Sequence, residues 1–195
     1  MIDGGHLDRV GRPVTLRPID DDNWRAVADV APRDDQRRFV AALGARYLLL
    51  SMRSEVWNSL AVYADETVVG HVMWGVDDDG SHWIGGMLID AAEQGKGVGR
   101  ATVQTLAPWL AAREGIPPVR LSYHPDNTPA AALYESLGFH PTGALDDDEL
   151  IAERTREPRD PALPVATQGV SSRISTTETA RSPGWSARPS GGGTG

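Results

Sequence analysis

The stretch Gln94-Gly95-Lys96-Gly97-Val98-Gly99-Arg100 decides how the rest of the chain is read. It leaves an apolar run, HWIGGMLID (His82–Asp90), patterned as a strand, and enters a helical pattern that reaches Arg113. Three glycines at alternate positions let the backbone turn tightly and aim several N–H groups at one place. The helix N-terminus adds its partial positive charge, which predicts a phosphate or pyrophosphate cradle; a plain Gly-rich connector is the other reading. A Walker loop fails, because Lys96 is followed by Gly97 rather than Ser or Thr. A dinucleotide fingerprint fits poorly, because Gly97-Val98-Gly99 continues as Arg100-Ala101-Thr102 and no acid stands at the expected distance.

Outward from this loop the pattern is mixed. Val14–Ile19 reads as a strand, with Asp20–Asp22 offering the cap of a helix through Trp24 and Val27. Asp34 to Met52 reads as a second helix or two short ones. Leu60–Asp65 and Thr67–Val76 read as an antiparallel pair. Pro108 sits inside the helix after the loop, where a kink is expected, and Gly115 with Pro117–Pro118 ends it. Val119–His124 is a strand, followed by a short helix with Thr128 as cap and Pro129 in the first turn. Phe139–Leu145 and Glu149–Thr155 read as a closing hairpin. This order predicts a mixed α/β sheet, neither doubly wound nor a barrel. Residues 1–12 are expected to be a loose N-terminus and 13–156 the domain. Residues 157–195, rich in Pro, Gly, Ser and Thr, read as a disordered tail, with a docking role as the alternative.

Composition narrows the function. The 195 residues carry 19 Lys+Arg against 27 Asp+Glu, a net charge of −8, which argues against nucleic acid and suits a cationic partner. With no cysteine, disulfides, thiolate zinc sites and a Cys nucleophile are excluded. No metal site is expected. No apolar run approaches a membrane span, and the opening MIDGGHLDRVGRP has no apolar signal centre, so a cytoplasmic protein off the membrane is expected.

The spacing Gln94-x-x-Gly97-x-Gly99 resembles the Gln/Arg-x-x-Gly-x-Gly/Ala loop of the GNAT superfamily of acetyl-CoA-dependent N-acetyltransferases. Asn127, Tyr134 and Leu137-Gly138-Phe139 stand in the order of the Asn…Tyr…Gly-Phe segment of many members. The resemblance covers roughly Val14 to Thr155. The phrases DNWRAV, LAVYAD, VVGHVMWG, MLID and LSYHPDN are similar to the bacterial spermine/spermidine branch. The resemblance implies a mostly antiparallel sheet with a splayed strand pair and flanking helices, and acetyl-CoA as cosubstrate. Met87, Leu88 and Ile89 would pair with the pantetheine arm, the N–H groups of Gly95, Lys96, Gly97, Val98, Gly99 and Arg100 would hold the pyrophosphate, and Asn127 would contact the arm. Tyr134 would protonate the leaving thiolate; its spacing with Ala130, Leu133 and Leu137 also suits a core aromatic.

An alkylammonium with a pKa of roughly 10 must lose a proton before it attacks. Some polyamine acetyltransferases carry a glutamate base where this sequence has Gly85, followed by Gly86. That pair supplies no base and leaves space, which hints at a larger acceptor. His124 is the substitute base, or else a hydrogen-bonded strand-end histidine. Trp24, Trp57 and Trp83 are candidates to line an acceptor cleft, with core packing as the alternative. The three Asp-rich runs are turn and cap residues, or a rim that attracts a polycation. The expected activity is acetylation of a small cationic amine, a polyamine or an amine-bearing antibiotic. Acetylation of a protein N-terminus or lysine, a non-catalytic acyl-CoA sensor and, most weakly, a nucleotide-binding oxidoreductase are the alternatives. A homodimer is compatible with this reading.

Overall fold

The computed structural model describes residues 1–113 and 118–155. Eight strands form one sheet: β1 (Ile2–Leu7), β2 (Pro13–Pro18), β3 (Asn58–Ala64), β4 (Thr67–Val76), β5 (His82–Ile89), β6 (Val119–Tyr123), β7 (His140–Asp146) and β8 (Glu149–Arg154). Their order across the sheet is β1-β2-β3-β4-β5-β6-β8-β7. All neighbours are antiparallel except β5 and β6. Four α-helices, α1 (Trp24–Asp29), α2 (Gly44–Arg53), α3 (Val98–Ala111) and α4 (Thr128–Glu135), and a 3₁₀ turn at Asp34–Gln36 complete the described chain. The expected tail and the end of α3 at Gly115 and Pro117 lie outside the described residues.

Strand alternation divides the core between the sheet's two faces. Val14, Leu16, Leu60, Val62 and Ala64 pack with Ala101, Val103, Leu106, Ala107 and Leu110 of α3. Ala61 and Tyr63, pointing the other way, pack with Val27 and Leu48 of α1 and α2. Leu106 and Leu110 are fully buried, worth about 1.5–3 kcal/mol each by transfer from water. Helix α3 continues through Pro108, and the Ala112 N–H donates to the Pro108 carbonyl at 3.0 Å.

Two expectations need correction and one pair of alternatives is resolved. Residues 2–7 are not loose: they form β1, paired with β2 and packed beside α3, because the turn at 8–12 is tied by its own side-chain hydrogen bonds. Of the two readings of Asp34–Met52, two short pieces form rather than one helix: the 3₁₀ turn and α2, with residues 37–43 crossing between them. The cap of α1 is Asn23, and Asp20 instead accepts from the Asp22 and Asn23 N–H groups.

The parallel pair matters most for function. β5 and β6 pair only at His82–Val119 and Trp83–Arg120, then diverge. On its other side β5 carries a bulge: Met73 opposes Gly85 and His71 opposes Leu88, so Gly86 and Met87 together face Val72. Gly86 sits at φ +53°, which favours glycine. His71 pins this bulge. Its Nδ1–H donates to the Gly86 carbonyl at 2.9 Å, Nε2 faces Ser59 Oγ at 2.9 Å, and the ring stacks on Tyr47. Burial pushes its pKa down to about 4, against the opposing pull of that carbonyl, so His71 is neutral.

Candidate active site

Two cavities open where β5 and β6 separate. The larger is a cleft of about 520 Å³, a size that suits a cofactor-scale ligand. Its walls include Met87, Leu88 and Ile89 of β5, the loop and first turn of α3, and Asn127, Ala130, Leu133 and Tyr134 of α4. Gly95 and Gly97 adopt φ +80° and +88°, as the sequence requires of a loop that doubles back into a helix. Among the described residues, no protein oxygen takes the N–H groups of Gly95 through Arg100, whereas the Ala101 N–H bonds to the Gly97 carbonyl. Six consecutive free donors at a helix N-terminus form a cradle for anionic oxygens.

The side chains of this loop do structural work. Gln94 donates from Nε2 to the Ile89 carbonyl at 2.9 Å and to Gln36 Oε1 at 2.8 Å, which fixes the loop to β5 and to the 3₁₀ turn. Lys96 does not line the cleft with its side chain; its Nζ lies 3.1 Å from Glu93 Oε1. Arg100 bonds Ser136 Oγ at 2.7 Å, joining α3 to α4. Asn127, expected only as a cofactor contact, is also the cap of α4 in place of Thr128, accepting from the Ala130 N–H at 3.4 Å.

The smaller cavity is a slot of about 60 Å³. Phe39, Tyr47, Trp57, Trp83, Tyr123 and Tyr134 supply its aromatic walls, and Glu149, Asp146 and His124 its titratable groups. Val40, Met87, Asn127, Ala130 and Tyr134 line both cavities, so the two meet there. The Tyr134 ring also packs against Tyr123 and Phe139, at 5.8 and 6.1 Å between centroids. Both readings of Tyr134, core aromatic and site residue, therefore hold at once. Burial raises its pKa strongly, with Glu149 adding to the effect, and the phenol keeps its proton.

Glu149 lines the slot, and sequence reasoning did not single it out. It opens β8, is buried, and accepts from Ser122 Oγ at 2.6 Å. Burial raises its pKa, with Asp148 and Asp146 pushing the same way and Ser122 and His124 opposing. In the sequence it is a fourth acid after Asp146–Asp148, and only the β6–β8 pairing separates it from that run. The expected base, His124, is placed differently. Its Nδ1 accepts the Asp126 N–H at 3.1 Å, which occupies the lone pair of the neutral ring and leaves the proton on Nε2, 3.7 Å from Asp148 Oδ2.

Of the acceptor candidates, Trp24 lies away from the slot, while Gly85 and Trp83 line it. Trp24 lines neither cavity; it is 42% exposed on α1 with Arg25 over its ring. Gly85 borders the slot but leaves no room, because a Cβ there would come within 3.0 Å of the Trp57 indole. Trp83 does line the slot, with Nε1 donating to Ser81 Oγ at 3.1 Å. Among the described residues no cluster of His, Asp and Glu could hold a metal ion, and no helix is long and apolar enough to cross a membrane.

A diverging parallel strand pair, a bulge and an N–H cradle at the following helix suit a ligand with an extended arm and an anionic end, as the resemblance to acetyl-CoA-dependent acetyltransferases implies. Comparison with known proteins agrees. The family model described as "Acetyltransferase (GNAT) family" matches residues 16–139. The spermine/spermidine N(1)-acetyltransferase of Bacillus subtilis (strain 168) is 26% identical over 140 residues, covering 68% of this chain and 91% of that protein. The aminoglycoside acetyltransferase AAC(6')-Ib, solved with coenzyme A and kanamycin, superposes with a TM-score of 0.62 at 21% identity, covering 73% of this chain and 95% of that one. The GNAT domain of S. lividans PAT gives 0.62 at 18%, covering 79% and 97%. The chain belongs to the GNAT family of acetyltransferases. It is an acetyl-CoA-dependent N-acetyltransferase, with acetyl-CoA as cosubstrate.

Proposed function

We propose that the acceptor is a slender primary amine carrying positive charge, a polyamine-like aminoalkyl chain rather than a ring-bound amine. The observation that carries this is the slot: about 60 Å³, aromatic-walled, with Glu149 and Asp146 and no Lys or Arg among its lining residues. Such walls favour an alkylammonium through cation–π contact and opposite charge, and the volume admits little more than a chain end. The similarity to a spermine/spermidine acetyltransferase supports the same reading.

Bound acetyl-CoA supplies the activated acetyl group as a thioester. Held in the slot, the ammonium loses its proton to Glu149, whose raised pKa makes it a better base than an exposed carboxylate. Tyr134, neutral and placed where the two cavities meet, holds the proton that the departing thiolate takes. Met87, Leu88 and Ile89 offer backbone to the pantetheine arm on the edge that β6 leaves open, and the N–H groups of Gly95–Arg100 take the pyrophosphate. Glu149 in the slot and Tyr134 at its junction with the cleft support turnover over a non-catalytic sensor.

The test is a panel of diamines, polyamines, aminoglycosides and a lysine peptide, incubated with acetyl-CoA and read by mass spectrometry. Acetylated linear amines with unmodified aminoglycosides are expected. Preferential acetylation of aminoglycosides or of the peptide would replace this reading.

A further inference from the structure

The cofactor loop carries one lysine, Lys96, and Glu93 neutralises it. Glu93 is held in turn by Arg12 Nη2 at 2.5 Å. The cation beside the cradle comes from elsewhere: Arg9, in the turn between β1 and β2. Its N–H donates to the Lys96 carbonyl at 2.7 Å and its Nη1 to the Gly95 carbonyl at 3.2 Å. Its Cγ lies 2.9 Å from where a Cβ on Gly97 would stand, so glycine at 97 lets Arg9 close on the loop.

The turn that presents Arg9 is rigid. The Asp8 carboxylate, buried, accepts from the Val10 and Arg12 N–H groups at 3.0 and 2.9 Å and from Arg12 Nε at 2.7 Å. Burial pushes the Asp8 pKa up, but the bonds from Arg12 and Val10 win and hold it below the usual carboxylate range. Among the described residues Arg9 makes no ion pair. With one N–H on Gly95, a guanidinium has four left, enough for two phosphate oxygens.

We propose that Arg9 is a ligand for the phosphates of coenzyme A, completing the N–H cradle of Gly95–Arg100, and that the N-terminal turn at 8–12 is part of the cofactor site. This rests on acetyl-CoA as cosubstrate. The guanidinium stands over the loop that would hold the pyrophosphate, and the 3′-phosphate is the other anionic group within the same ligand.

The test is calorimetric binding of CoA, 3′-dephospho-CoA and pantetheine to the full chain and to Arg9→Gln. Glutamine keeps a donor for the Gly95 carbonyl and removes the charge. The side chain is exposed, so folding is not at risk. CoA affinity should fall roughly tenfold to a hundredfold, the worth of a charge-assisted hydrogen bond, while pantetheine binding stays unchanged. An equal loss with dephospho-CoA assigns Arg9 to the pyrophosphate; a loss with CoA alone assigns it to the 3′-phosphate. CoA affinity within twofold of the parent, or an equal loss with pantetheine, overturns the proposal. A parent protein that binds no CoA overturns the cosubstrate reading along with it.

Discussion

The two cavities that meet at Tyr134 differ in size, in charge and in what builds them. The cofactor cleft holds about 520 Å³ and is lined by Arg9, Arg33 and Arg100, with Glu93 the one acid and that one paired. The slot holds about 60 Å³ and is lined by acids and aromatics with no Lys or Arg. The first offers an anion largely backbone N–H groups of consecutive residues. The second, proposed to take a cation, is lined by side chains drawn from residues 39, 57, 83, 122 and 149, which only the fold brings together. On the proposed reading, charge of opposite sign on either side of one tyrosine would orient an anionic donor and a cationic acceptor toward each other.

The largest break in this contrast falls at the junction. Tyr134→Phe keeps the ring that packs on Tyr123 and Phe139 and removes the proton source. We predict a fall in kcat of roughly 10²–10⁴ with little change in CoA affinity. Steady-state kinetics beside calorimetry checks it, and full turnover would reduce Tyr134 to packing.

Next comes Glu149→Gln, with an expected loss of about 10²-fold at neutral pH. The acid limb of the parent rate profile should lie above the ordinary glutamate range, because the folded pKa is raised. The variant should lose that limb and recover partly at high pH, where the amine deprotonates unaided. The sign for stability is opposite. A raised folded pKa means that stability present at low pH is lost as pH rises past the glutamate range. Glu149→Gln should therefore melt no lower than the parent at neutral pH, and a large drop in Tm would mark a structural role. His124→Ala, whose ring lone pair is already engaged, should change the rate only a few-fold.

The smallest effect tests size alone. Trp57→Ala empties the space over Gly85 and should let the slot admit bulkier amines, moving the ratio of kcat/KM between a ring amine and a linear diamine by about tenfold. An unchanged ratio would show that some other wall sets the limit.

Much of the fold was legible because its signals are local. Alternation in β2 to β5, the glycines of 95–99 and the Asn127–Phe139 segment each act within a dozen residues. The element order predicted from them differs from the observed one only by β1 and the 3₁₀ turn. β1 escaped because only part of its anchor is local: Arg12, which ties the turn through Asp8, also bonds Glu93, 81 residues away.

The slot escaped for the same reason. Gly85 reads as empty space in a sequence, and an indole at position 57 fills it through the fold. Glu149 reads as one acid in a run, and the β6–β8 register sets it apart by placing it beside Ser122. His124 reads as a base or as a hydrogen-bonded strand-end histidine, and the fold sets the Asp126 N–H against its Nδ1. The sequence by itself determined the cofactor chemistry, because a backbone cradle is made of consecutive residues whose conformational freedom is written in their identities. Tertiary structure alone decided the slot's shape and which titratable groups line it, because those depend on which distant side chains share one small volume.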